Sequence, residues 1–234
     1  MNEDDGATAA GSARLGVPMD WSAFYRAVAG KPARDTLLDA AGRFEAEGRL
    51  GLEAVDLGCG SGRDTVELLR RGWGVTAIDD DPGAFAAFVP TLPADLAARL
   101  RTVGASYEDA DWPQCDLVNA SFSIPHCREG TFGAIWSKIA RSIRPGGRFA
   151  GQLFGVRDGW AGGRPEHPPD QRPDPVPAPG WRFGREFHDR AGVERLLREA
   201  GLRAESLNEV ERLGATATGE PKYWHVFHVV AVRG

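Results

Sequence analysis

Residues 55–64 read Val55-Asp56-Leu57-Gly58-Cys59-Gly60-Ser61-Gly62-Arg63-Asp64. A short apolar run, Glu53 to Leu57, enters a Gly-x-Gly-x-Gly turn, and a helical stretch from about Arg63 to Arg71 leaves it. Glycines at such a turn let the backbone approach a ligand with no Cβ in the way. The following helix N-terminus offers free N–H groups and partial positive charge to a carboxylate or phosphate. A dinucleotide fingerprint would place its third glycine at position 63, where Arg63 stands; here that glycine is one residue early, at Gly62. Asp56, inside the strand just ahead of the turn, would repel a pyrophosphate and suit an ammonium group.

The next apolar run, Gly74 to Ile78, ends in Asp79-Asp80-Asp81, and Asp79 lies 23 residues after Asp56. An acid at the tip of a second strand can accept both hydroxyls of a ribose. Asp79, first off the strand, is the candidate. Asp81 before Pro82 reads as a helix N-cap with proline at the first helical position; Asp80 is a second contact or a solvated acid. The two crossovers together predict a grip for a nucleoside and one for an ammonium, with no phosphate site.

The alternation continues outward. Leu100–Val103, Cys115–Ala120 and Phe149–Phe154 read as strands. Phe132, Ile135, Ile139 and Ile143 share one helical face, and Arg144-Pro-Gly-Gly147 reads as a tight turn. Upstream, Trp21 to Tyr25 open an amphipathic stretch capped by Asp20 or Ser22, and Pro32 starts a second helix. Downstream, Asp189 caps a helix with Val193, Leu196, Leu197 and Ala200 in a stripe, and two strands follow, about Arg203–Val210 and Tyr223–Val232. Strands alternating with helices predict an α/β domain with a parallel sheet, its last strand an antiparallel hairpin partner. Residues 1–17 are polar and aperiodic, an expected disordered tail; 18–234 form one domain. Residues 155–184 interrupt it with seven prolines between Pro165 and Pro179, a lid or a mobile insertion.

Bulk composition narrows the function classes. The chain has 234 residues, net charge −5, and 42% hydrophobic residues, an ordinary soluble balance that argues against a nucleic-acid or anionic-membrane binder. Cys59, Cys115 and Cys127 are odd in number and lack metal-ligand spacing, so neither a disulfide scaffold nor a metal site is expected. The start MNEDDGATAAGSARLG is acidic where a secretory leader is basic, and the longest apolar stretch, Val226–Val232, contains His228. A cytoplasmic location is expected. Arginine outnumbers lysine 25 to 3.

The run VDLGCGSGRDTVELLRRGWGVTAIDDDP resembles motifs I and II of the class I S-adenosylmethionine-dependent methyltransferases. More narrowly, the chain resembles their tellurite-resistance or thiopurine-like branch, through WSAFYRAVAGKPARDTLL, CDLVNASFSIPHC, RPGGRFAGQLFGVRDGW and GEPKYWHVFHVVAVR. The resemblance implies a doubly wound, mostly parallel, seven-stranded Rossmann-like sheet with an antiparallel last strand. It implies S-adenosylmethionine as cofactor and S-adenosylhomocysteine as product. Residue by residue, it implies Asp56 at the methionine ammonium, Gly58, Cys59 and Gly60 along the cofactor, and Asp79 (with Asp80) at the ribose. Ser106 and Tyr107 fall in the adenine-binding stretch; many relatives carry an acid where Ser106 stands, which leaves the Tyr107 amide for the ring. Asn119 and Ala120 would lie under the sulfonium, Tyr25 and Trp21 would close over the methionine end, and Arg63 would hold the carboxylate.

Methyl transfer from a sulfonium needs mainly positioning and desolvation. A soft nucleophile needs no general base, and no acid–base constellation stands out; where amino-methylating relatives carry Asn-Pro-Pro-aromatic, this chain reads Asn119-Ala-Ser-Phe122. The expected acceptor is a small molecule, with the protein a monomer or homodimer. Phe122, Phe154, Arg157 and Trp160 lie on loops bordering the ligand crevice, Arg157 with no charged neighbour but Asp158. His126 is a proton acceptor there or a packed ring. His225 and His228, three apart on a strand, point to opposite faces and cannot share a metal. The alternatives are an S-adenosylmethionine-binding protein without catalysis and an NAD(P)-dependent dehydrogenase. The glycine spacing and Asp56 speak against the second.

Overall fold

A computed structural model describes residues 21–161 and 186–234. The tail and most of the proline-rich segment, on which the disorder and lid expectations fall, lie outside the described residues. Two helices open the chain, α1 (Trp21–Val28) and α2 (Asp35–Ala46). The alternation follows: β1 (Glu53–Leu57), α3 (Arg63–Arg70), β2 (Gly74–Asp79), the short α4 (Pro82–Ala86) and α5 (Ala94–Ala97), β3 (Leu100–Gly104), β4 (Cys115–Ala120), α6 (Phe132–Ser142) and β5 (Ile143–Gly155). After the gap come the two-residue β6 (Phe187–His188), α7 (Arg190–Glu199), β7 (Leu202–Ala215) and β8 (Pro221–Arg233).

The strands form one sheet in the order β3-β2-β1-β4-β5-β8-β7, with β6 paired to the end of β5. Pairing is parallel throughout except that β8 runs antiparallel to both β5 and β7. The order reverses between β1 and β4, so a crevice opens beyond their carboxyl ends, where ligands of open α/β sheets bind. β1 and β4 are central and buried on both faces, which is why both read as unbroken apolar runs with few polar insertions. Two of those insertions, Asp56 and Asn119, are adjacent partners in the β1–β4 ladder.

Two apolar layers hold the sheet. On one face Ile135, Trp136 and Ile139 of α6 and Val193 and Leu197 of α7 pack on Val118, Phe149 and Phe227. On the other, Leu37, Ala40 and Phe44 of α2 and Leu68 and Leu69 of α3 pack on Leu117, Ala150 and Val230. The α7 cap is as expected, Asp189 Oδ1 accepting from Gly192 N at 2.7 Å, and so is the α4 cap, Asp81 Oδ1 accepting from Gly83 N at 2.8 Å.

Three local readings differ. Helix α2 begins at Asp35 rather than Pro32, because Arg34 stays extended and gives its N–H to Asp64 Oδ1 at 2.9 Å. Arg144–Gly147 is a bulge inside β5 rather than a turn before it: Cys115 pairs with Ile143, then Leu117 with Arg148. The bulge is tied down by Arg49, which donates to Gly146 O and to Asp116 Oδ1, both at 2.8 Å, while Arg144 reaches Asp116 Oδ2 at 2.8 Å. Last, the expected seven strands form the sheet, and Phe187–His188 adds a short eighth against Phe154–Gly155.

Candidate active site

The glycine turn is held from below by β2: Ile78 O accepts from Gly58 N at 2.8 Å and Cys59 N at 3.1 Å. Gly58, Gly60 and Gly62 all have positive φ, 65°, 52° and 77°, a region L side chains rarely enter. Space matters too. A Cβ on Gly58 would stand 2.5 Å from Ser123 Cβ, and one on Gly60 would stand 3.2 Å from the Tyr25 ring.

Asp79 joins the two loops of the site. Its Oδ2 accepts from Gly60 N at 2.8 Å and its Oδ1 from Asp81 N at 3.0 Å. Burial pushes its carboxyl above the usual carboxylate range, against the pull of those two amides. Tyr25 leans from α1 over the same place, where burial and the carboxylates of Asp79 and Asp81 push its hydroxyl well up. Asp80 beside it is exposed.

Asp56 is 2% exposed, and its oxygens already have protein partners: Thr65 Oγ1 donates to Oδ2 at 2.6 Å and Asn119 Nδ2 to Oδ1 at 2.8 Å. The same Asn119 amide lies 3.1 Å from Asp64 Oδ2, which also accepts from Ser121 Oγ at 2.6 Å. Asp56, Asp64 and Asn119 thus form one buried network beneath the turn. Burial first, then Asp64 beside it, raises the Asp56 carboxyl to about 7. Asp64 and Ser121 were missed by the sequence reading. Asp64 sits one residue past the start of α3, where an acid reads as an ordinary favourable charge for the helix end.

Other predicted cofactor positions divide. Tyr107 is turned inward, its hydroxyl donating to Ser123 O at 2.9 Å, and burial raises that hydroxyl well above its ordinary value. Ser106 Oγ donates to Asp109 at 3.0 Å. Ala120 is buried at the tip of β4 beside Gly151. Arg63 donates through Nε to Pro32 O, so it ties the start of α3 to the loop before α2. The Cys59 thiol is buried and pushed well up in pKa by that burial, an environment for packing rather than for a thiolate.

On the far side of β4 the predicted aromatic residues do meet. Phe154 packs against Trp160 (ring centroids 5.4 Å), Phe122 (6.3 Å), Phe187 (6.2 Å) and Trp224 (6.5 Å). His126 stands edge-on to Trp21 at 5.9 Å, Trp160 at 6.2 Å and Phe154 at 6.4 Å, a member of this wall. Lys222, 2% exposed, is a further member: its Nζ lies 3.5 Å from the Trp224 centroid and 4.1 Å from that of Trp160. It donates to Asp158 Oδ2 at 2.6 Å. Only three lysines occur in the chain, which was a legible hint.

Arg157 departs from expectation. The sequence offered it no partner but Asp158, yet Asp158 is taken by Lys222, while Arg157 Nε lies 2.9 Å from Glu211 Oε2 and Nη2 lies 3.0 Å from Glu209 Oε1. Both acids come from β7, folded back along β8, a pairing that no local pattern announces. Arg157 N also donates to Nδ1 of His225, which is fully buried and 2.9 Å through Nε2 from Glu209. Glu209, Glu211 and His225 bring three potential metal-ligand atoms within 4.8 Å of one another, with the Arg157 guanidinium among them. Arg157, expected at the acceptor pocket, takes part in an ion-pair lattice with Glu209 and Glu211 of β7.

Residues 54–147 match the family model described as a methyltransferase domain. A magnesium-protoporphyrin O-methyltransferase of Rhodobacter capsulatus is 31% identical over 91 residues, 39% of this chain and 41% of that protein. The chain thus aligns with well under half the length of that curated relative. Among solved structures, the 1,6-didemethyltoxoflavin-N1-methyltransferase of Burkholderia thailandensis superimposes with TM-score 0.57 at 22% identity, covering 85% of this chain and 78% of that one. TehB of Haemophilus influenzae gives TM-score 0.64 at 15% identity over 90% and 66%. These likenesses establish the fold. Residues 54–147 thus carry the sequence pattern of a methyltransferase domain, and the described residues share the fold of S-adenosylmethionine-dependent methyltransferases.

Proposed function

We propose that the protein transfers the methyl group of S-adenosylmethionine to a heteroatom of a small-molecule acceptor. The observation that carries this reading is the placement of Asp79. Its two oxygens each accept one backbone N–H, from Gly60 and Asp81, and each keeps a lone pair for a ribose hydroxyl. The donor set around it fits the cofactor in two further ways. Ser123 Oγ is buried beside Gly58 and meets no partner among the described residues, so the cradle holds a polar group in want of a ligand. The charge below the turn, Asp56 and Asp64, is of the sign an amino-acid ammonium needs.

Asp79, Gly58, Gly60 and the Tyr107 amide would hold the nucleoside, with the Asp56–Asn119–Asp64 network beneath the methionine end and Tyr25 above the turn. When bound, the cofactor supplies an activated methyl group, open to in-line displacement. The chain's own task is to exclude water and aim the acceptor, and Phe122, Phe154, Trp160 and Trp224 provide an apolar wall for that. His126, ringed by Trp21, Phe154 and Trp160, shapes this wall. The Burkholderia thailandensis relative, whose structure holds S-adenosylhomocysteine and 1,6-didemethyltoxoflavin, supports a small acceptor here.

Calorimetric titration with S-adenosylmethionine, S-adenosylhomocysteine and NAD(P)H tests the reading. Binding of the first two alone is expected, followed by S-adenosylhomocysteine release on addition of a competent thiol, tellurite or heteroaromatic acceptor. Folded protein that binds neither would overturn it.

A further inference from the structure

Among the described residues, the Arg34 guanidinium has no carboxylate paired with it. Its backbone ends the loop before α2, its N–H bound to Asp64, and its guanidinium carbon stands 4.7 Å over the centroid of Phe122. Among the described residues no carboxylate comes within ion-pair distance of that guanidinium and no acceptor within hydrogen-bond distance. A half-buried cation of this kind usually has a bidentate partner. Burial and the nearby Arg63 push its pKa down despite Asp64 and Asp35, a cost that an anion would offset.

The surface beneath Arg34 is built for a ring. Phe122 has φ 59°, a left-handed conformation unusual for an aromatic residue and typical of strain kept at ligand sites. That conformation is locked by Gln152, whose Oε1 accepts from Phe122 N at 3.0 Å and whose Nε2 donates to Thr36 Oγ1 at 2.9 Å. Gln152 is opposite His228 in the β5–β8 ladder, and Phe154 opposite Val226, so Gln152, Phe154, His228 and Trp224 share the α2 face of the sheet. The Phe122 ring meets three of them, with centroids 6.0 Å from Trp224, 6.2 Å from His228 and 6.3 Å from Phe154. Burial, then Arg34, keeps the His228 imidazole pKa below its ordinary value, so it adds a neutral polar edge; the Lys222 ammonium at Trp224 is paired with Asp158, whereas Arg34 has no carboxylate partner among the described residues.

We infer that Arg34 is the anion-recognising residue of the acceptor site, and that the acceptor is a planar, carboxylate-bearing small molecule lying against Phe122 and Trp224. This assignment rests on the proposed methyl transfer for the word acceptor, though the anion site itself does not. The guanidinium lies over Phe122, beyond the tip of β4, and acts on His228 of β8 as well as on Arg63 at the start of α3, whereas Asp79 lies two strands away at the tip of β2. For that reason the carboxylate assigned to it is the acceptor's and not the cofactor's own.

The test uses 2-naphthoate and its uncharged match 2-naphthamide, titrated by calorimetry and tryptophan quenching with and without saturating S-adenosylhomocysteine. The wild-type protein should bind the naphthoate at least tenfold more tightly than the amide. Arg34→Met should bring the two within about twofold while leaving S-adenosylhomocysteine affinity within twofold and the circular dichroism melt intact. Arg34→Lys, which keeps the charge but loses the flat stack, should fall between. Equal binding of both probes, binding of neither, or an Arg34→Met variant that keeps the preference and loses S-adenosylhomocysteine tenfold would each overturn the assignment; the last would give Arg34 to the cofactor's carboxylate. Should Arg34→Met fail to fold, Arg34→Lys and the wild-type comparison decide. Failure of S-adenosylhomocysteine to bind wild-type protein would strike the methyl-transfer reading alone, since the naphthoate preference is read in its absence as well.

Discussion

Asn119 Nδ2 donates to Asp56 Oδ1 at 2.8 Å across the β1–β4 ladder, and the same amide reaches Asp64 Oδ2 at 3.1 Å. A single neutral side chain therefore bridges two buried carboxylates beneath the glycine turn. With both acids ionised the site carries an excess of negative charge in low dielectric, and one of the two relieves it by holding a proton. Burial and Asp64 raise the Asp56 carboxyl to about 7, so the pair takes up its first proton near neutral pH.

The pH dependence follows from the direction of that shift. A free aspartate titrates near pH 4, so between roughly pH 4 and 7 the folded state holds a proton that the unfolded chain has lost. This group's contribution to stability is then greatest at low pH, falls as pH rises to about 7, and is level above. A cation bound beside Asp56 favours its ionised form and reverses the trend for affinity. The dissociation constant for S-adenosylmethionine is expected to fall by up to about tenfold per pH unit below 7 and to flatten above. Calorimetry between about pH 5.5 and 7.5 measures it, and Asp56→Asn should bind more weakly with no such slope.

Asp79→Ala removes the acceptor shared by Gly60 N and Asp81 N along with the proposed ribose contact. Cofactor affinity should drop more than tenfold, about 1.4 kcal/mol or more. Asp79→Asn, which keeps one acceptor oxygen, should lose less. An Ala variant that folds and binds S-adenosylhomocysteine as wild type does would remove Asp79 from the site.

How far the sequence alone reaches depends on whether the signal is local. The glycine turn, the end of β2 near Asp79 and the Asp81 cap were legible because each is a short pattern whose physics is confined to a few residues, and β4 was read to the residue. The partners of Arg157 were not legible because Glu209 and Glu211 lie on β7, more than fifty positions away and brought back only by the β7–β8 hairpin. Asp64 and Gln152 were passed over for a different reason. Each is polar in a run that makes sense without it, and each proves to be buried and bonded to an element far along the chain. A polar residue inside the apolar run Phe149–Gly155 was the available signal for Gln152.

Gly62→Ala tests the turn without touching a ligand group. Gly62 has φ 77°, and a Cβ there would meet the Phe88 ring at 2.3–2.6 Å, backed by Cys59 and Ala77 in a small cluster of its own. The left-handed backbone costs about 1 kcal/mol for alanine and the displaced ring about 1–3 more. A loss of about 2–4 kcal/mol in a denaturant melt is expected, with cofactor affinity reduced because Gly60 and the start of α3 shift together. A change below about 0.5 kcal/mol would mean that Phe88 swings aside freely.

The buried ion pair behind the aromatic wall allows a cleaner separation of charge from packing. Lys222 and Asp158 are both nearly inaccessible, 2.6 Å apart, and Asp158 accepts two backbone N–H groups besides, from Trp160 at 3.0 Å and His225 at 3.1 Å. Replacing Lys222 by Met keeps the stem among Phe154, Trp160 and Trp224 but strands the carboxylate. Removing one partner of such a pair costs about 3–5 kcal/mol, whereas replacing both is often close to neutral. Lys222→Met alone should therefore lower the melting temperature sharply, while Lys222→Met with Asp158→Asn should recover most of it, the Asn oxygen still serving one of the two amides. Because the pair anchors Trp160 and Trp224, the single variant should also weaken acceptor binding more than cofactor binding, and the double variant should restore both. Equal loss in single and double variants would show that the ammonium's hold on the three rings, rather than the charge balance with Asp158, is what keeps this wall in place.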